Sequence, residues 1–299
     1  MMSLDTLKTG ALCLSIALGC ALSADAQGRP PMRVHTATQS QPLALVPANR
    51  EVRGGRVEVR ETARKIEIEA NGVPNHTVGV FPNAGNPHSI SAQSIDFTVP
   101  KTPRVTGKTT DLGLNLYFGV ALNGVPFDPG AAEFWQGNPR SGWNYDALGG
   151  AVSLGLDANY AHVQPNGSYH YHGLPTGFFK ALGWSDTTPS PLIGYAADGF
   201  PIYLRTALVD GKVRDMQSSY QLKSGSRPGG NDPGGRYDGT FVEDYVFVEG
   251  SGDLDACNGA VITNSAYADG TYAYFLTEAF PTIPRCLNGK PDKSFYKRR

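Results

Sequence analysis

Three of the six histidines in the chain lie within eleven residues, in the stretch Tyr160-Ala-His162-Val-Gln-Pro165-Asn166-Gly167-Ser-Tyr169-His170-Tyr171-His172. Neutral imidazole is the commonest protein metal ligand. Three imidazoles with an open fourth position bind zinc and lower the pKa of its water, and they suit copper equally well, so spacing does not choose between the two metals. The rival reading of any His-x-His strand is a pair of surface or hydrogen-bonded histidines with no ion.

What brings these side chains together, or fails to, is the element that carries them. Pro165-Asn166-Gly167 between two short β-like runs suits a three-residue hairpin loop, a type I turn followed by Gly167 in the left-handed conformation. That loop pairs Gln164 with Ser168, Val163 with Tyr169 and His162 with His170. Side chains alternate faces along a strand, so His170 and His172 share one face with Cα atoms about 6.5 Å apart, and the pairing places His162 beside them. A two- or four-residue loop would turn His162 toward Tyr169 and Tyr171 instead. His76, after the turn Asn71-Gly72-Val73-Pro74, is a candidate fourth ligand and His88 a weaker one. Tyr160, opposite His172, is a ligand, a donor to the ligands or a packing residue.

Two carboxylates are candidates for moving a proton: Asp198, in Gly194-Tyr-Ala-Ala-Asp-Gly-Phe-Pro-Ile-Tyr203, and Glu278, after Thr271-Tyr-Ala-Tyr-Phe-Leu-Thr277. Asp-Gly is also ordinary turn chemistry. Trp135, Trp143, Tyr145 and Trp184 are either a carbohydrate or aromatic pocket or core. No Gly-x-Ser-x-Gly elbow, phosphate-cradling helix start or nicotinamide fingerprint occurs, which disfavours serine-nucleophile chemistry and nucleotide binding.

The chain opens with the pattern of a secretory signal over residues 1–26: Lys8, an apolar run from Gly10 to Leu22, and Ala24-Asp25-Ala26 as a small-x-small cleavage site. That run is too short to span a bilayer of about 30 Å, so no transmembrane anchor is expected after cleavage. Export to a secreted or periplasmic location also bears on the cysteines. Cys13 and Cys20 leave with the signal, and Cys257 and Cys286 meet an oxidising compartment where pairing is the default. Closing a loop of that length stabilises by roughly 3 kcal/mol in the chain-entropy account. With 26 basic and 27 acidic residues there is no electrostatic footprint for nucleic acid.

Residues 27–56 are rich in Pro, Gln, Arg and Gly without periodicity, which predicts a poorly ordered lead-in. From 57 to 290 short alternating runs such as Val57-Glu-Val-Arg60 and Ile66-Glu-Ile-Glu69 alternate with turns. The 36 glycines and 22 prolines leave no room for long helices. The expectation is a mainly β, single sandwich- or barrel-like antiparallel domain with long loops and few short helices. Lys223 to Arg236 reads as a lid or a surface excursion, and residues 291–299 as a polar tail.

Tyr169-His170-Tyr171-His172 followed by Gly173-Leu174-Pro175 resembles the signature of the YHYH-domain proteins, a secreted or periplasmic family. The likeness extends to Asn123-Gly-Val-Pro-Phe-Asp-Pro129, Leu156-Asp157 through Gln164, Gly194 to Tyr203, Tyr237-Asp-Gly-Thr-Phe241, Gly252 to Gly259, and Asp269-Gly-Thr-Tyr272 through Cys286. The resemblance covers about Ile66 to Leu287. It implies export and a histidine cluster acting as a unit, and carries no settled activity. The residues thus support three readings: an exported protein holding one copper or zinc ion, a metal-dependent hydrolase or copper oxidoreductase at the same site, or an extracellular carbohydrate-binding or interaction module with a small-molecule or glycan ligand.

Overall fold

Alternation of apolar with polar residues builds the first sheet, in which β1 (Val57–Glu61), β2 (Lys65–Ala70) and β3 (Ile95–Pro100) pair antiparallel in that order. Ile66 faces Val99 and Ile68 faces Phe97, and all four are buried. The edge strand β1 carries the same alternation yet stays exposed at every residue. Its valines lie beyond the core that β2 and β3 cover.

The computed structural model describes residues 34–297. The signal expected at 1–26 therefore lies outside the described residues. After β3 come β4 (Thr110–Asp111), β5 (Gly119–Ala121), β6 (Pro126–Phe127), β7 (Ala161–Val163), β8 (Tyr169–Tyr171), the short helix α1 (Thr176–Ala181), β9 (Leu192–Ala196) and β10 (Pro201–Tyr203). The chain continues through β11 (Thr206–Val209), β12 (Lys212–Asp215), β13 (Tyr220–Leu222), β14 (Tyr245–Phe247), β15 (Gly259–Asn264), β16 (Tyr267–Phe275) and β17 (Cys286–Leu287). Eight of these form one sheet in the order β15-β16-β10-β9-β5-β6-β8-β7. The expected mainly β class with few short helices holds. Ladders are antiparallel except for parallel joins of β10 to β16 and β6 to β8, and the sheet does not close into a barrel. Strands β5, β6, β8 and β10 are buried at every residue, as expected where both faces of a sheet are covered.

Three segments whose composition reads as loose are held in place where they are described; residues 27–33 of the expected lead-in lie outside the described residues. Residues 34–56 form no long strand, but they are not loose: Val46 exchanges backbone hydrogen bonds with Leu156 and Ala158, Arg50 with Val78, and the Tyr145 hydroxyl donates to Ala37 O. Their polar composition hid a segment held by its backbone rather than by apolar side chains. The region Lys223–Arg236 is pinned by Arg227, whose side chain is fully buried and donates to Asp244, Asp238, Thr38 O and Gly234 O. Residues 291–297 are likewise no free tail, and 298–299 lie outside the described residues. Asp292 caps a 3-10 turn over Lys293–Phe295, and Phe295 is buried and stacked on Phe97 with centroids 4.1 Å apart.

Cys257 and Cys286 form a disulfide, joining the turn before β15 to β17 across 29 residues. Among the described residues, no helix is long and apolar enough to cross a membrane.

Candidate metal site

The hairpin β7–β8 has the register that the Pro-Asn-Gly loop predicts: Ala161 opposite Tyr171, His162 opposite His170, Val163 opposite Tyr169. Gly167 N donates to Gln164 O, and Gln164 N to Ser168 O. Gly167 has φ of +86°, and a Cβ there would meet Ser91 Oγ at 1.9 Å, so only glycine fits. The turn entering β7 is fixed by Asp157, which accepts from Asn159 N at 2.9 Å, Gly79 N at 2.8 Å and the Tyr169 hydroxyl at 2.7 Å.

Register separates two chemistries. On one face the three imidazoles converge, with His170 Nε2 at 2.9 Å from His172 Nε2, and His172 Nε2 at 3.1 Å from His162 Nε2. His170 and His172 are buried, and His162 is half-buried. Two nitrogens bound about 2.05 Å from one ion lie about 2.9 Å apart at a right angle and about 3.3 Å apart at the tetrahedral angle, so these separations fit a shared ion.

The outer nitrogens decide which ring atoms are free. His162 Nδ1–H donates to Leu154 O at 2.8 Å, and His170 Nδ1–H donates to Ser168 O at 3.3 Å. Both therefore turn an Nε2 lone pair inward, the arrangement by which outer hydrogen bonds orient a metal-binding histidine. Buried His172 Nδ1 has no hydrogen-bond partner among the described residues. Protonation does not relieve the crowding of lone pairs. Burial pushes His162 and His170 down to about 3 and His172 well below the usual imidazole value, and neighbouring imidazoles add to the effect at His162 and His172. At neutral pH the cluster is three uncharged ligands. His172 Nε2–H can donate to only one neighbour at a time, whereas a cation engages all three.

The other face of the hairpin holds Tyr169 and Tyr171, both fully buried. His76 belongs there and not with the cluster. Its Nδ1–H donates to Thr77 O at 2.8 Å, and its Nε2 accepts from the Tyr171 hydroxyl at 2.7 Å. Asn123 Nδ2 donates to the same tyrosine oxygen. The fourth ligand expected from sequence is thus a hydrogen-bond partner on the opposite side of the sheet, because Tyr171 alternates away from His170 and His172. His88 is half-buried and lies outside the group of converging ligand atoms. Tyr160 accepts from His172 N at 2.8 Å through its carbonyl, while its side chain packs on Gly173.

The carboxylates considered from sequence are engaged elsewhere. Buried Asp198 accepts from the Tyr274 hydroxyl at 2.6 Å and from Gly289 N at 2.8 Å, tying its turn to β16 and to the segment after β17. Glu278 is exposed and pairs with Arg205 at 3.4 Å. Asp128 was not singled out from sequence. It is buried, accepts from Lys297 Nζ at 2.5 Å and Gln164 Nε2 at 3.2 Å, and its charge acts on His162. A lone aspartate followed by proline gave no signal of this, since Lys297 comes from the far end of the chain. Trp135, Trp143 and Tyr145 pack with Phe241 as a satellite core, and Trp184 Nε1 donates to Thr206 Oγ1.

No curated protein and no solved structure matches the chain. The family model described as YHYH protein matches residues 96–289, more than half of the sequence and including the whole hairpin. The chain belongs to the YHYH protein family.

Proposed function

We propose that this is an exported metal-binding protein that holds one copper or zinc ion between the Nε2 atoms of His162, His170 and His172. The observation that carries the reading is the convergence of three neutral imidazole nitrogens, two of them oriented by carbonyl acceptors on their outer side. Three protein ligands leave a coordination position open, which both zinc and copper sites use. Export is supported by the apolar leader and the disulfide. Binding rather than turnover is the function proposed, because Asp198 and Glu278 make their contacts to other partners.

The test is elemental analysis of protein purified without an affinity tag, exposed to each ion in turn and freed of excess. About one ion per chain is expected, falling to background in the His170→Ala/His172→Ala double variant while circular dichroism shows a folded chain. No stoichiometric metal in the parent protein, or unchanged metal in a folded double variant, refutes the proposal.

A further inference from the structure

Beside the end of the hairpin, and separate from the histidine cluster, lies an open cavity of about 570 Å³, within the size range of small-molecule sites. Leu148, Tyr160, Leu174, Tyr245 and Phe280 are in its lining, and Tyr160 and Leu148 lie beside Gly173, which follows His172. The Tyr245 and Phe280 rings stack flat at 3.9 Å and 4°, with the Arg285 guanidinium 5.1 Å from the Phe280 centroid, so they form a rigid stack.

Asp146, Asp238 and Glu278 also line the cavity, and no lining residue is basic. Each carboxylate is already paired with an arginine that does not line it: Asp146 with Arg285 at 2.8 Å, Asp238 with Arg227 at 2.6 Å and Glu278 with Arg205 at 3.4 Å. Arg227 is shared with Asp244 and Arg205 with Asp186 and Asp215, so the arginines screen these carboxylates without cancelling their charge; choline in the experiment below tests whether that residual charge selects a cation or whether the oxygens serve as hydroxyl acceptors.

Tyr160 gives a second indication. Its φ is +52°, a conformation that suits glycine and is unusual for an aromatic residue. The chain carries this ring at a cost in stability, and the ring lines the cavity. It is also held in place: a Cβ on Gly173 would lie 2.8 Å from Tyr160 Cβ, so the glycine is what lets the side chain settle against the backbone. Backbone outliers of this kind are found at ligand sites, where the surrounding structure sustains them.

We infer that this cavity binds a neutral polyhydroxylated ligand, a di- or trisaccharide in size, with Tyr160 and the Tyr245 side of the stack meeting its C–H faces and the arginine-backed carboxylates accepting from its hydroxyls. Aromatic faces with a few placed acceptors are the lining that such a ligand requires. The inference does not depend on a metal at the histidines.

The experiment is saturation-transfer NMR on the full mature protein with cellobiose, maltose and diacetylchitobiose, with choline as a cationic comparison, each in the presence and absence of EDTA. Saturable binding of at least one disaccharide is expected, unaffected by EDTA and not competed by choline. In Tyr160→Gly, which relieves the backbone, affinity should fall at least tenfold while the melting temperature stays level or rises. The inference is overturned if none of the three sugars binds, if choline binds in their place, if EDTA abolishes binding, or if Tyr160→Gly leaves affinity unchanged.

Discussion

Metal-free protein should lose stability steeply as pH falls from 7.5 to 5.5, because three imidazoles are buried in their neutral form. His162 and His170 are pushed from 6.5 to about 3, and His172 is lowered further. A base whose folded pKa is depressed binds more protons in the unfolded state between the two values, so unfolding becomes easier as pH drops below 6.5. At pH 5.5 each unfolded histidine is about ten-elevenths protonated while its folded counterpart is not. That is worth about 1.4 kcal/mol per residue, or about 4 kcal/mol for the three. Such a loss is a large part of the 5–15 kcal/mol that a typical domain has.

The assay is urea unfolding at the two pH values in the presence of EDTA. The His170→Gln variant isolates the contribution of the cluster from all other titrating groups: its loss over the same window should be smaller than that of the parent by about 1.4 kcal/mol. Equal losses in parent and variant would refute the reasoning that the histidines are held neutral by burial.

His76→Ala should leave metal stoichiometry unchanged and destabilise by about 1–3 kcal/mol, since it strips the Tyr171 hydroxyl of its acceptor; elemental analysis and urea midpoints check both parts. Asp157→Ala removes the acceptor of Gly79 N, Asn159 N and the Tyr169 hydroxyl together, and should cost at least about 3 kcal/mol by thermal unfolding. The Cys257→Ser/Cys286→Ser pair should lose about 3 kcal/mol with metal content intact, read by the same two measurements.

Local rules made the hairpin legible. Pro-Asn-Gly specified a loop length, loop length specified a register, and register aligned His162 with His170 without reference to the rest of the chain. The same rule located the tyrosines on the other face, but it could not locate His76, which reaches Tyr171 from 95 residues away. Alternation identified Ile66 and Ile68 as inward-facing, yet in β1 the same pattern lies on an exposed edge, because burial depends on neighbours that periodicity does not name. The ordering of residues 34–56 and of the loop around Arg227 rests on backbone carbonyls and on Asp238 and Asp244. Such partners leave no mark in composition, so a polar, glycine-rich segment reads as loose whether or not a buried guanidinium anchors it.

The position of Phe295 also constrains the order in which the molecule can be assembled. Its ring stacks on Phe97, its carbonyl accepts from Tyr117 N, and the neighbouring Ser294 hydroxyl accepts from Thr98 N. A chain that emerges N-terminus first, from a ribosome or through a narrow pore, exposes Phe97 long before the residue that covers it. Its core cannot be completed until Phe295 is free as well. Early intermediates must therefore keep an apolar face on β3 uncovered, the condition in which a helper protein or fast delivery of the Phe295 segment decides between folding and aggregation.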